Sequence, residues 1–330
     1  MDVSVVVCTY NRAPLLAGAL ASLAQQRTGD RFQYEVVVVD NGSTDETPRV
    51  VEEAARPSAG RRAAGGVRRV CEPRPGVAQA RNCGVRNARG RWIAFFDDDQ
   101  VADPDWLARL LQAAERTGAR CVSGAVRLQL PAAVTAGLPA VCRGLLGESL
   151  PRAQAGRPGR RRGLATGNLL IQRAVFDEIG PFDESLREAG EDADLGRRVR
   201  AAGIQVAGAP AAVIWHVIPL YRVGEEYLRW SAHRQGMHVA RRERWTWGRF
   251  ALPVMAAVRL GQAMAGGLPR WCWGSAVRSG RLRLDGLCRL WRSEGYLRFA
   301  LRCLAPRWFA QHDFFARTAF RTERELFARG

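Results

Sequence analysis

Through the first two thirds of the chain, apolar residues recur with two different periods. Short runs rich in β-branched and aromatic residues at 3–8, 34–39, 92–96 and 121–128 read as strands. Between them lie segments with the period of an amphipathic helix, at 14–25, 47–55, 77–88 and 105–117. The first of these puts Leu15, Leu16, Ala19, Leu20 and Leu23 on one face. Strands separated by helices predict βαβ units, hence an α/β fold with a mainly parallel sheet.

The rhythm breaks at 131–163, a stretch rich in Pro, Gly and Arg that ends in Gly159-Arg160-Arg161-Arg162-Gly163. That composition predicts a long mobile loop, and loops of this length are commonly functional. Order resumes at 164–171, with a helix from near Arg173 and another over about 192–202 that Gly203 would cap. A short strand at 212–215 ends on His216. Beyond Tyr221 the pattern is helical and amphipathic. The chain therefore divides into a sheet domain at 1–217 and a helical extension at 218–330. Residues 250–268 are apolar apart from Arg259 and Gln262. This is about the length that spans a bilayer, roughly 20 residues, but the Gly, Ala and Pro content and the central Arg argue against spanning.

Composition narrows the partners. The chain has 330 residues, 47% of them hydrophobic, enough for a sizeable core and too apolar for global disorder. All 50 basic residues are Arg, and the formal net charge is +18. The Arg, Ala and Gly bias is that of a GC-rich coding background, yet the charge still favours anionic partners: nucleotides, phospholipid headgroups or nucleic acid. From residue 217 onward 21 Arg stand against 8 acids, interleaved with Trp. The eight cysteines include no Cys-x-x-Cys pair, which argues against structural zinc. Several lie in apolar runs, as free thiols in a reducing cytoplasm would. A strand beginning at Val3 leaves no room for a signal peptide ahead of the fold.

Candidate chemistry gathers where apolar runs end. Phe95 and Phe96 are followed by Asp97, Asp98 and Asp99. If that segment stays extended, Asp97 and Asp99 share a face and can bracket a divalent cation with a diphosphate. The competing reading is an acidic loop leading into a helix that Asp103 or Asp105 caps. Asp40 closes the run Val36 to Val39 and is suited to a nucleobase or ribose, although Asn41-Gly42 is also a turn. Thr9, Tyr10, Asn11 and Arg12 open a helix, where backbone N–H groups favour anions. No glycine-rich phosphate loop occurs there, which disfavours the usual nicotinamide and ATP modes. Gly190-Glu191-Asp192-Ala193-Asp194 offers three acids at a helix start. One is enough for a cap; a surplus carboxylate facing a cleft suits a general base. His216 is either a metal ligand or a hydrogen-bonded rim residue.

Taken in order, Val3 to Arg12, Val38 to Asp45, Gly76 to Gly84, Asp97-Asp98-Asp99, Thr166-Gly167-Asn168 and Gly190-Glu191-Asp192 resemble glycosyltransferase family 2, the inverting GT-A enzymes. The resemblance covers about residues 1–217. It implies a GT-A fold and transfer of a sugar from a nucleotide-sugar donor to a glycan, lipid-linked or polysaccharide-precursor acceptor. Asp192 would be the base. Thr9, Tyr10, Asn11, Arg12, Asp40, Asn41, Arg81, Asp97 and Asp98 would hold the nucleotide. Thr166, Gly167, Asn168 and Glu191 would lie near the donor sugar or acceptor. Asp97, Asp99 and His216 would hold Mg²⁺ or Mn²⁺, and the 131–163 loop would close over the acceptor side.

Two other readings remain at the level of sequence. The Arg/Trp-rich extension suits a protein that binds a membrane surface or a nucleic acid; no nucleic-acid motif accompanies it, so peripheral contact with the cytoplasmic face of an anionic inner membrane is the expectation. A sugar nucleotidyltransferase also pairs an α/β sheet with acids and a metal, but a glycine-rich activation loop is lacking near the first strand.

Overall fold

The computed structural model describes residues 1–56, 66–151, 164, 166–186 and 190–306. The described residues divide into two compact units, the first formed by 1–127 with 149–217 and the second by 128–148 with 218–306.

The first unit is built on an eight-stranded sheet. Its strands are β1 (Val3–Thr9), β2 (Tyr34–Asp40), β3 (Val67–Cys71), β4 (Trp92–Asp97), β5 (Gln100–Ala102), β6 (Cys121–Gln129), β7 (Asn168–Gln172) and β8 (Val206–Val217). Their order is β3-β2-β1-β4-β7-β6-β8-β5. The half containing β3, β2, β1 and β4 is parallel. Strand β7 runs antiparallel to both β4 and β6, and β5 antiparallel to β8. The expected α/β architecture is present, a mixed sheet in which β3, β2, β1 and β4 pair in parallel.

Helices α1 (Ala13–Leu23), α2 (Thr47–Ala55), α3 (Val77–Asn87) and α4 (Trp106–Thr117) fall where the periodicity predicts them. Alternation along β1 separates the two faces. Val3, Val5 and Val7 pack with Leu16 and Leu20 of α1 and with Trp106 and Leu110 of α4. Val6 faces the other way, onto Ala80 and Cys83 of α3. Gly84 lets α3 approach so closely that no Cβ fits against Val6. This layered packing, with every residue of β2 buried, is what lets an unbroken Val run form a strand.

The 131–163 segment departs from the expected mobile loop. Two helices, α5 (Ala132–Gly137) and α6 (Ala140–Leu145), occupy its first half. The prolines there precede helices instead of breaking them: Pro131 and Pro139 stand at the two N-caps, where a missing N–H costs nothing. Leu138, Cys142 and Leu145 are buried in a cluster of the second unit with Leu228 and Cys288. Residues 152–163 of that expected loop lie outside the described residues.

Helices α7 (Ala174–Ile179) and α8 (Glu191–Ala201) complete the first unit. The second contains α9 (Glu225–Trp247), α10 (Leu252–Gly266), α11 (Leu268–Ala276) and α12 (Gly280–Leu304). The apolar 250–268 stretch runs through a 3-10 turn, α10 and the start of α11, part of a helical run from Arg249 to Ala276 that is by length and composition long and apolar enough to cross a membrane.

Candidate active site

The carboxyl ends of β1, β2 and β4 lie side by side, with Cys8 paired to Asp97 and Thr9 to Asp40 in register. This is the edge at which open α/β sheets bind ligands, and the acids at the strand ends collect there.

The acidic triplet does not remain extended. Asp97 ends β4, Asp98 and Asp99 form a turn, and β5 begins at Gln100. Gln100 closes the turn: its Oε1 accepts from Asp97 N at 3.0 Å, and its Nε2 donates to Asp97 Oδ2 at 3.2 Å. Each acid consequently has its own surroundings. Asp98 is buried, accepting from Thr9 Oγ1 at 2.8 Å and from Arg12 Nη1 at 3.0 Å. Asp99 receives the same Arg12 Nη1 at 3.2 Å and lies 3.3 Å from His216 Nε2. Asp97 is the most open of the three, 4.0 Å from Arg81 Nη2. Although its side chain is nearly half exposed, Asp97 sits deep among packed groups, and the lost solvation, with Asp99, Asp192 and Asp98 nearby, outweighs Arg81 and pushes its carboxyl up to about 6. Asp98 is also raised by burial, with Arg12 and the Thr9 hydroxyl opposing.

Gly167 is held close to this turn. A Cβ added to it would stand 2.6 Å from Asp97 Oδ2 and 2.8 Å from Gln100 Nε2, so only glycine fits without displacing them.

The second group of acids opens α8. Gly190, at φ 114, is the N-cap, and no side chain caps the helix. The acids are thus released for other contacts. Arg81 Nη1 donates to Glu191 Oε1 at 2.7 Å and to Asp192 Oδ1 at 2.8 Å. Thr166 donates its hydroxyl to Asp192 Oδ1 at 2.8 Å and its backbone N–H to Oδ2 at 3.3 Å. The surrounding carboxylates outweigh burial and hold the Arg81 guanidinium firmly charged, its pKa above the usual value. Glu191 is buried, and its Oε2 makes no hydrogen bond. Asp194 faces away, ion-paired with Arg197 and Arg198.

Asp40 is buried where β2 ends. Its Oδ1 accepts from Ser43 N at 2.8 Å and its Oδ2 from Arg69 Nη1 at 3.1 Å. Asn11, at φ 52, ties the α1 loop to the same turn by accepting from Thr44 N at 2.7 Å. Tyr10 precedes it, half-buried.

Two expected site residues have structural duties instead. The Asn168 side chain is 1% exposed and turned into the core, bonded to Trp106 Nε1 at 2.8 Å, Ala125 O at 2.9 Å and Ala212 O at 3.1 Å. Strand alternation is the cause: with Gly167 against Asp97, the next side chain points through the sheet. Asn41 spends its amide on Glu72 O, Arg74 O and Gly76 N, which fastens the loop ahead of α3. Two further residues matter that sequence reasoning passes over. Arg69 lies on β3, where the run Val67-Arg68-Arg69-Val70 lacks the alternation of a half-buried strand, so no periodic signal marks it. Gln100 follows the acids directly but gives no pattern of its own.

Sheet order, switch-edge acids and flanking helices define a GT-A type nucleotide-diphospho-sugar fold. Among solved structures, mannosyltransferase PcManGT from Pyrobaculum calidifontis, in complex with GDP-Man and Mn²⁺, superposes with TM-score 0.60 at 22% identity, over 93% of this chain and 88% of its own. S. aureus TarS 1–349 in complex with UDP gives 0.51 at 17% identity, over 93% and 92%. Residues 4–140 match the model of glycosyl transferase family 2, and residues 92–311 that of glycosyl transferase family group 2. Succinoglycan biosynthesis protein ExoM of Rhizobium meliloti (strain 1021) is 32% identical over 237 residues, 71% of this chain and 72% of ExoM. Glycosyltransferase AglE of Haloferax volcanii is 29% identical over 216 residues, 65% of this chain and 66% of AglE. The chain belongs to glycosyltransferase family 2 and is a transferase enzyme.

Proposed function

We propose that this enzyme moves a sugar from a nucleoside-diphosphate donor to a hydroxyl of a growing glycan or lipid-linked acceptor, with inversion, and that Asp192 is the base. One observation carries the reading: a single guanidinium, Arg81, donates to Asp192 at 2.8 Å and reaches Asp97 at 4.0 Å. A base and a leaving-group acid are thus separated by the width of one side chain, which is what a single in-line displacement needs. Arg81 and Thr166 orient the Asp192 carboxylate, which is one third exposed and open to an acceptor hydroxyl. Asp192 takes the hydroxyl proton as that oxygen attacks the anomeric carbon. The C–O bond to the diphosphate breaks in the same step, so the configuration inverts without a covalent intermediate. Asp40 and the Thr9–Arg12 loop would hold the nucleoside.

The donor set fits a divalent cation completed by substrate. Asp99 Oδ2 and His216 Nε2 are 3.3 Å apart. Neighbouring ligands on an octahedral cation with bonds of about 2.0–2.1 Å stand about 3 Å apart. Among the described residues no three acids, histidines or cysteines are gathered to hold a metal ion, so the expected set of Asp97, Asp99 and His216 is not assembled, and an ion here would rest on Asp99, His216 and the oxygens of the donor diphosphate. Such an ion, when bound, neutralises charge on the departing diphosphate. The acceptor class is supported by relatives named for succinoglycan and O-antigen biosynthesis. Incubating the enzyme with a panel of nucleotide sugars and Mn²⁺ is the test. Metal-dependent release of nucleoside diphosphate supports the reading; release of pyrophosphate, or no release with any donor, overturns it.

A further inference from the structure

Helix α10 has its amphipathic character reversed. Leu252, Ala256 and Ala263 are buried at helical spacing, in a cluster with Tyr296 and Phe299 of α12. The opposite face is open, and it carries no charge: Val254 is 64% exposed, and Val258, Leu260 and Met264 are each nearly half exposed. The helix's one charged residue, Arg259, is turned toward the protein. It pairs with Glu243 of α9 and donates to Gln262 Oε1 at 3.0 Å. A helix on the surface of a soluble protein ordinarily presents charge outward and apolar groups inward; here an Arg is drawn in while aliphatic side chains face out.

The surroundings of this face name its occupant. Aromatic rings border it at both ends: Trp247 and Phe250, 64% and 79% exposed, before α10, and Trp273, 64% exposed, on α11. Trp at the edge of an apolar face is the arrangement found at the level of lipid headgroups. From residue 244 to residue 284 the chain contains seven Arg and no acid. Arg244, Arg249, Arg270, Arg278 and Arg281 are exposed, and the Arg249 guanidinium lies 4.8 Å from the centre of the Phe250 ring. An uncharged apolar face ringed by Trp and Arg complements an anionic bilayer surface.

We propose that α10 lies in the headgroup plane of an anionic membrane, with Phe250, Val254 and Val258 inserted and the surrounding Arg side chains on lipid phosphates. In-plane docking follows from the packing. The inner face of α10 is committed to α12, which carries Arg281, Arg283, Arg289, Arg292 and Arg298, and a spanning α10 would have to take these into hydrocarbon. By length and composition the run from Arg249 through α11 to Ala276 could cross a bilayer, so the packing on α12, and not length, keeps α10 in the plane. The inference stands independently of the transferase reading.

The test is co-sedimentation of the purified full chain with vesicles of phosphatidylcholine alone and of phosphatidylcholine with phosphatidylglycerol in equal parts. Binding is expected to the second, to weaken in high salt, and to be accompanied by a blue shift of Trp emission. Val254→Asp with Val258→Asp should lower binding about tenfold or more, because two aliphatic side chains that gain from burial are replaced by carboxylates that resist it and are repelled by anionic lipid. Both positions are exposed, so circular dichroism and nucleoside-diphosphate release should be unchanged. Equal binding to both vesicle types, no binding by the full chain, or unchanged binding by the double variant overturns the proposal. So does a stable dimer that the same double substitution dissociates, since a second copy would then be the occupant.

Discussion

Thr166 and Arg81 donate to the same oxygen of Asp192, each at 2.8 Å. Oδ1 is thereby saturated, and Oδ2 has only the longer 3.3 Å contact from Thr166 N. The carboxylate is fixed in orientation with one oxygen less engaged, the state in which it can accept a proton. Asp192→Asn keeps the size and the contacts with Thr166 but removes the basicity. Transfer should fall by about 10²–10⁴-fold, while equilibrium dialysis finds donor binding within a few-fold of wild type. Retained transfer would take Asp192 out of its role.

Asp99 and His216 approach within 3.3 Å across the β5–β8 edge. His216→Ala should raise the Mn²⁺ concentration required for nucleotide binding by about tenfold or more. Titration calorimetry of nucleoside diphosphate at several metal concentrations reads this directly. The same affinity at every metal concentration in the variant would place the ion elsewhere.

Gly167 faces the acidic turn with no room for a side chain. Gly167→Ala forces Asp97 and Gln100 to shift. The expected result is weaker donor binding with a melting temperature close to wild type, since the strain falls on the Asp97 carboxylate and the Gln100 amide and not on apolar packing.

Asn168 should behave oppositely. Asn168→Ala leaves Trp106 Nε1 and two backbone carbonyls without partners in the core. A loss of about 2–3 kcal/mol of stability is expected, read as a lower urea midpoint. The folded fraction should still transfer at near-normal rate; a specific loss of rate at full stability would return Asn168 to the site.

Stability should also respond to mild acid in the helical unit. Burial on α9, with Arg234 and Arg241 adding to it, pushes His238 down to about 4 from an ordinary 6.5. Below pH 6.5 the unfolded chain therefore binds a proton that the folded chain refuses. Stability is lost as pH falls from 6.5 toward 4 and is fully present above it. His238→Gln should flatten that part of the melting-temperature profile, and an unaltered slope would assign the acid sensitivity to other groups.

Much of the site is legible in the order of residues alone. Acids after Val39 and Phe96, and at the start of α8, stand out because apolar periodicity locates the ends of elements, and ligands gather at those ends. The partners of those acids are not legible in the same way. Arg81 meets Asp192 111 positions away, and His216 meets Asp99 only because β5 pairs with β8. The 131–163 segment defeats sequence reasoning for a related reason. Pro and Gly signal turns locally, but a Pro at a helix start carries no such cost.

The sequence by itself determined β1, β2, β4 and β6 with the helices between them, that the positive charge is borne entirely by Arg, and the order in which the acids arrive. Those are local properties, written in period and composition. Only the tertiary structure decided which way individual side chains point. Asn168 turns into the core, Gly167 presses on Asp97, and Arg259 turns inward while Val254 faces out. The reason is that strand order and helix packing are settled by burial summed over a whole unit, and a side chain's neighbours follow from that sum and not from its position in the chain.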